Sequence, residues 1–245
     1  MNSSLFQIVS NDAIAKNTYR LEILGDAKAL KGPGQFINIR IDGMFLRRPI
    51  SVCTSDRKER ITVIYKTVGK GTEALSRMKP GDKLDVLTGL GNSYDLSSSG
   101  DKPLLIGGGA GVPPLFWLAE ELVKDGKTVR AVLGFNTKEE VFLADDFERL
   151  GCEVTVVTVD GSLGRKGFVT DYILRPYTYF YCCGPEPMLK AVYRTVSGSG
   201  EFSFEERMGC GFGACMGCSC RTVTGYKRIC REGPVLKKEE ILWKE

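Results

Sequence analysis

Four cysteines toward the end of the chain, Cys210, Cys215, Cys218 and Cys230, follow a C-x4-C-x2-C spacing with eleven residues before the last. Thiolates at that spacing are the ligand pattern of plant-type 2Fe-2S centres. The intervening residues, Gly211-Phe212-Gly213-Ala214 and Met216-Gly217, are mostly small. They let the backbone wrap tightly and aim N–H groups at sulfide and thiolate, which stabilises the extra negative charge of a reduced cluster and raises its potential. Cys220 lies two residues past Cys218 and competes with it as third ligand; the spacing favours Cys218. The rival chemistry for four cysteines is a zinc site, which more usually shows two C-x2-C knuckles. Cys53, Cys152 and Cys182 read as strand or core thiols packed as small apolar residues.

Three further groups of residues suit phosphate or dinucleotide chemistry. Arg48-Pro49-Ile50-Ser51 opens a β segment, where Arg48 would pair with a pyrophosphate and Ser51 would hydrogen-bond phosphate or flavin. Gly69-Lys70-Gly71-Thr72 precedes a helical stretch, Glu73 to Met78, so that an N-capping Thr72 would leave backbone N–H groups free for phosphate. Leu104-Leu105-Ile106 runs into Gly107-Gly108-Gly109-Ala110-Gly111 and then Val112-Pro113-Pro114, a glycine turn at a strand's carboxyl end. Val112 stands where G-x-G-x-x-G needs its last glycine, so the ordinary fingerprint is not met. Cys183-Gly184-Pro185 forms a second such strand end that would border a nicotinamide. The stretch Phe135 to Glu140 carries acids and one base, which favours NAD over NADP.

The elements that position these groups change period along the chain. Up to about Leu96, short β-rich segments (Tyr19 to Leu24, Phe36 to Ile41, Ile61 to Thr67, Lys83 to Leu87) are broken by Gly, Pro and Asp, which predicts a small antiparallel barrel. The polar tract Ser97 to Pro103 reads as a flexible linker. Then strands near Pro103 to Ile106, Thr128 to Phe135, Glu153 to Val159 and Tyr179 to Cys183 alternate with helices at Pro113 to Lys124, Ala144 to Leu150, Val169 to Leu174 and Glu186 to Val196. A parallel sheet of about five strands is expected. The fold class is therefore α/β plus β in three parts: residues 1–97, a FAD-binding antiparallel barrel; 101–204, an α/β dinucleotide-binding domain; and 205–245, a small 2Fe-2S module.

Composition narrows the function. With 34 basic and 30 acidic residues spread evenly, for a net charge of +4, no basic stripe suggests nucleic acid. Residues 1–11 lack the pattern of a signal peptide and no apolar run is long enough for a membrane span, so a cytoplasmic protein with reduced thiols is expected. The chain has no histidine. That excludes Ser-His-Asp and Cys-His chemistry and every His-ligated zinc, haem or Rieske centre.

In chain order, the barrel, Arg48-Pro49-Ile50-Ser51, the Gly107 loop, Cys183-Gly184-Pro185 and the cysteine cluster together resemble the ferredoxin-NADP reductase superfamily. Within it, Met208 to Cys218 and Tyr226 to Pro234 are similar to the family of dihydroorotate dehydrogenase B electron transfer subunits. The resemblance implies FAD held by Arg48, Pro49, Ile50, Ser51, Ile64, Tyr65, Lys66, Gly71 and Thr72. It further implies iron on Cys210, Cys215, Cys218 and Cys230, while the glycine-rich strand ends themselves offer Gly107, Gly108, Gly109, Gly111, Cys183, Gly184 and Pro185 to NAD. It also implies a catalytic FMN-containing partner that oxidises dihydroorotate, in a heterotetramer with two copies of each subunit, for pyrimidine biosynthesis. The three parts leave no room for a further barrel of about 250 residues to bind orotate. The alternatives are a flavin/iron-sulfur subunit of a sulfide dehydrogenase or hydrogenase, and, more distantly, a four-cysteine zinc scaffold.

Overall fold

Buried and exposed side chains alternate along the first strands, so that each strand offers one face to an interior. The computed structural model describes residues 1–243. Strands β1 (Asn2–Ala15), β2 (Thr18–Leu24), β3 (Phe36–Ile39), β4 (Arg48–Ser55), β5 (Arg60–Lys66) and β6 (Lys83–Leu90) close into an antiparallel barrel ordered β1-β2-β5-β4-β3-β6. Phe6, Ile8, Leu21, Ile23, Ile37 and Ile39 fill it. Each such side chain contributes about 1.5–3 kcal/mol by leaving water. Helix α1 (Lys70–Ser76) packs Leu75 on the barrel. Asn11 ends it by donating to the carbonyls of Leu75 (2.8 Å) and Met78 (3.1 Å).

The second half alternates strand and helix: β7 (Leu104–Gly108), α2 (Val112–Lys124), β8 (Arg130–Phe135), α3 (Ala144–Leu150), β9 (Glu153–Thr158), β10 (Arg165–Lys166), β11 (Phe180–Cys183), α4 (Glu186–Thr195) and β12 (Gly200–Ser203). After a hairpin of β13 (Ser219–Thr222) and β14 (Gly225–Arg228), the chain returns as β15 (Val235–Lys237). The sheet order is β10-β9-β8-β7-β11-β12-β15, parallel except for β15, which runs antiparallel to β12. The expected sheet of about five strands thus has seven, because two-residue β10 and three-residue β15 extend its edges.

Two other expectations change. Val169 to Leu174 is not an α-helix: a single 3-10 turn covers Val169–Tyr172, with Asp171 turned back to accept the Phe168 N–H (2.9 Å). The tract from Ser97 to Pro103 is tied down instead of flexible. Asp95 accepts the Ser97 N–H (3.0 Å), and Thr178 Oγ1 donates to the carbonyl of buried Ser99 (2.5 Å).

The two halves are joined mainly by apolar burial. Trp117 of α2 is 1% exposed within the barrel's apolar cluster, with the Arg57 guanidinium 6.0 Å from its ring. Ion pairs Lys16–Glu139 (2.8 Å), Arg20–Asp146 (3.3 Å), Lys66–Glu140 (2.9 Å) and Arg57–Glu121 also link the two halves. Solvent-exposed pairs are worth about 0–1 kcal/mol each, so Trp117 is the larger contribution. Asn92, just past the barrel, clamps the last strand: its Nδ2 donates to the Val235 carbonyl (2.7 Å) and its Oδ1 accepts the Val235 N–H (2.9 Å). Among the described residues no helix is long and apolar enough to cross a membrane.

Candidate functional site

From β7 the sheet grows through β8 and β9 to one side and through β11 to the other, so its winding reverses between β7 and β11. The crevice at the carboxyl ends of strands flanking such a point is where open α/β sheets bind ligands. Cys183 pairs with Gly107, and the two glycine loops leave the sheet side by side. A Cβ on Gly111 would lie 2.2 Å from the Cys183 carbonyl oxygen, and one on Gly108 2.3 Å from Met188 Sδ. Gly107 and Gly108 are buried, and Gly107 lets Val112 and Leu115 approach the strand. The open lip consists of Gly109, Ala110 and Pro185. Pro113 and Pro114 both fall in the first turn of α2, where a missing N–H costs nothing. Burial pushes the Cys183 thiol up to about 12, so it stays neutral.

A cleft of ≈ 330 Å³ opens beside this lip. One wall is Pro49, Ile50 and Ser51 of β4 with Ile64, Tyr65 and Lys66 of β5 and Thr72 of α1; Ala110 flanks it, and Phe204, Glu205, Glu206, Met208 and Pro234 complete it. The volume falls in the usual range for cofactor sites. Arg48 lies at its edge, across Gly71: a Cβ there would be 2.2 Å from Arg48 Nε. Arg48 Nη1 donates to the Leu46 carbonyl (2.5 Å), which fixes the cation beside the start of α1, suited to a pyrophosphate.

Thr72 is not the N-cap. The helix begins after Gly69, and Thr72 Oγ1 instead accepts the Val68 N–H (3.0 Å) and donates to the Gly69 carbonyl (3.0 Å), bracing the loop. Glu139 and Glu140, the acids of the stretch read as favouring NAD, pair with Lys16 and Lys66 and fasten the sheet to the barrel. Phe204, Glu205 and Glu206 escaped the sequence reading, since nothing in their composition marks them as cleft residues. Glu205 is exposed along the cleft, and desolvation by the protein around it pushes its carboxyl up.

The four cysteines fall into two pairs. Cys210 Sγ accepts the N–H groups of Ala214 (3.2 Å) and Cys215 (3.4 Å), and Cys215 Sγ accepts that of Cys210 (3.5 Å). Deeper, Cys218 Sγ accepts the Cys230 N–H (3.4 Å), with both residues 2% exposed. Burial works to raise the Cys210 thiol, but the N–H groups of Phe212, Cys215 and Ala214 outweigh it and hold it down to about 6. Thiolate character with N–H donors already in place fits an iron–sulfur centre, and two pairs suit two irons better than one tetrahedral ion. Among the described residues no three metal-binding side chains converge on a single point. Glycines at φ +76 (Gly211) and +94 (Gly213) permit the tight wrap. Cys220 lies on β13 and faces a separate cavity of ≈ 350 Å³ with Gly184, Leu189 and Trp243.

The model of the iron-sulfur cluster binding domain of dihydroorotate dehydrogenase B matches residues 205–242, and that of the oxidoreductase NAD-binding domain matches 105–194. The dihydroorotate dehydrogenase B (NAD(+)) electron transfer subunit of Geobacillus sp. (strain WCH70) is 44% identical over 256 residues, 99% of each chain. That of Fusobacterium nucleatum is 44% identical over 250 residues, 96% of each chain. Among solved structures, a chain of an NADH-dependent reduced ferredoxin-NADP oxidoreductase, described for flavin-based electron bifurcation, superposes with a TM-score of 0.88 at 30% identity, covering 98% of this chain and 90% of that one. Phthalate dioxygenase reductase shares the fold at a TM-score of 0.68 and 18% identity, over 90% and 87% of the two chains. Full-length identity at this level, with the iron-sulfur domain model matched over residues 205–242, means that the chain belongs to the family of dihydroorotate dehydrogenase B electron transfer subunits.

Proposed function

We propose that this chain carries electrons from the FMN of a separate catalytic subunit, which oxidises dihydroorotate, through 2Fe-2S and FAD to NAD+ in de novo pyrimidine (UMP) biosynthesis. The observation that carries the reading is the ≈ 330 Å³ cleft, whose lining comes from the barrel, from Ala110 of the dinucleotide loop, and from Met208 and Pro234 beside the cysteine loop. A group seated there touches both neighbouring sites.

The flavin supplies the exchange between a two-electron hydride and the single electrons that an iron–sulfur centre carries. Arg48, beside Gly71 and Thr72, would hold the pyrophosphate; Pro49, Ile50, Ser51, Ile64, Tyr65 and Lys66 would form the wall along the rings. Gly107, Gly108, Gly109 and Gly111 with Cys183, Gly184 and Pro185 would receive the nicotinamide dinucleotide at the sheet's switch point. Cys210 and Cys215 would hold one iron, Cys218 and Cys230 the other. The lack of histidine is no obstacle, because aligned rings exchange hydride without a protein base. The parts 1–97, 101–204 and 205–245 would serve FAD, NAD and iron in turn, within a cytoplasmic heterotetramer of two chains of each kind.

The likeness to the NADH-dependent ferredoxin-NADP oxidoreductase chain favours a second reading, a flavin/iron-sulfur subunit of another oxidoreductase. One measurement tests what the two readings share, and a second separates them. NADH added anaerobically to the purified chain is expected to bleach flavin and cluster bands, and affinity purification from its own cells is expected to bring down an FMN protein that oxidises dihydroorotate. A colourless, zinc-loaded chain would sink the first claim; a stable complex with a different dehydrogenase would sink the second.

A further inference from the structure

Asn38 stands within β3, opposite Pro49 of the cleft wall on one side and Leu87 on the other. Its neighbours Ile37 and Ile39 fill the barrel, so the pleat turns Asn38 outward, as it does Phe36. There the side chain is 1% exposed, and its Nδ2 lies 3.4 Å from the carbonyl oxygen of Cys210. Gly211, the next residue, has φ +76, and a Cβ on it would stand 2.4 Å from the same Nδ2. Asn38 Oδ1 has no partner among the described residues. A buried amide with an open carbonyl is less favourable for stability than an apolar residue of the same shape. Stability alone therefore does not account for it.

We propose that Asn38 is a positioning residue for electron transfer, whose amide holds the Cys210–Gly211 peptide against the face of the strand pair from which Phe36 and Pro49 line the cleft. The proposal rests on the reading of Cys210 as an iron ligand and of the cleft as the flavin site. An N–H donor on the ligand residue's own carbonyl offsets negative charge beside a reduced centre, as outer hydrogen bonds do when they raise a cluster's potential.

The test uses Asn38→Leu and Asn38→Ser in the full-length holoprotein, with three readouts: cluster midpoint potential by EPR-monitored titration, iron loss to a chelator, and the thermal unfolding midpoint. The reduction equilibrium is expected to move about tenfold toward the oxidised centre, ~59 mV for one electron. Iron loss is expected to quicken about tenfold or more, the range for outer-shell partners. Asn38→Leu is expected to unfold no earlier than the parent, because it removes the open carbonyl. Potential and iron loss unchanged in either folded variant would overturn the proposal, and earlier unfolding with an unchanged potential would leave Asn38 a fold residue only. If Asn38→Leu does not fold, Asn38→Ser decides by the same readouts. A parent without any EPR signal of a reduced iron–sulfur centre would overturn the cluster reading before any substitution is made.

Discussion

Gly71 and Arg48 depend on each other at atomic range. Any side chain at Gly71 must displace the Arg48 guanidinium, since its first carbon would sit 2.2 Å from Nε. Arg48→Ala removes one charge-assisted contact, worth ~1.5–3 kcal/mol, and is expected to weaken FAD retention about ten- to hundredfold. Gly71→Ala is expected to weaken it in the same direction through displacement of that cation. Flavin content after gel filtration measures both; full occupancy in Arg48→Ala would deny Arg48 its phosphate role. Cys230→Ser is expected to abolish the cluster's visible and EPR signals while NADH still bleaches the flavin, and unchanged iron content would exclude Cys230 as a ligand. The cysteine spacing made these four residues legible in the sequence, because the pattern is local. Asn38 and Glu205 were not legible, since each gains its meaning only from a partner brought near by the fold: Cys210 lies 172 residues from Asn38.

Glu201 sits on β12, 4% exposed, with its carboxylate accepting the Asp95 N–H (2.9 Å) where the barrel hands over to the sheet. Burial pushes its carboxyl up to about 7 from 4.5; the Asp95 N–H and Lys237, its partner across the strand pair, oppose the rise, and the charges of Asp95 and Glu240 add to it. Between those two pH values the folded chain binds more protons than the unfolded one, so this group's contribution to stability falls as pH rises through the window. At ~1.4 kcal/mol for each tenfold in proton affinity, the penalty above pH 7 is on the order of 3 kcal/mol. Glu201→Gln keeps an acceptor for Asp95. It is expected to raise the unfolding midpoint at pH 8 and to lose that advantage by pH 4.5; equal midpoints at both would show that the carboxylate is relieved by solvent.

Elements were legible where the period was long and clean, as in α2 and β8. Strand β1 was not, because exposed Leu5 and Val9 alternate with buried Phe6 and Ile8 and erase the contrast. Strand β15 offers three residues and a partner more than thirty positions away, which no local propensity reveals. Thr72 misled for the opposite reason: a threonine after glycines looks like a cap, while the chain had already turned at Gly69.

At the scale of the whole molecule, Trp117 belongs to α2 by sequence and to the barrel by packing. Trp117→Ala is expected to cost about 3–5 kcal/mol and to lower the unfolding midpoint by about 10 °C. Flavin release and loss of far-UV dichroism are expected to move together; separate transitions would mean that the halves unfold independently. The four ion pairs that link the halves all keep contact with solvent, from exposed Lys16–Glu139 to half-buried Lys66–Glu140, so 1 M salt is expected to shift the midpoint far less.

The thirty-one residues from 204 to 234 leave the sheet at Ser203 and re-enter it at Val235, which face each other across β12 and β15, while Asn92 holds the re-entry from the barrel side. The iron-binding segment is thus a closed loop stitched at its base to both other parts of the chain. Among the described residues this segment is anchored at both ends, which is not how a swinging arm is built. Passage between flavin and cluster is then governed by a fixed gap, and its rate is expected to be indifferent to solvent viscosity in sucrose or glycerol. A rate that fell in proportion to viscosity would mean that the stitches at Asn92 and Ser203 open once in every turnover.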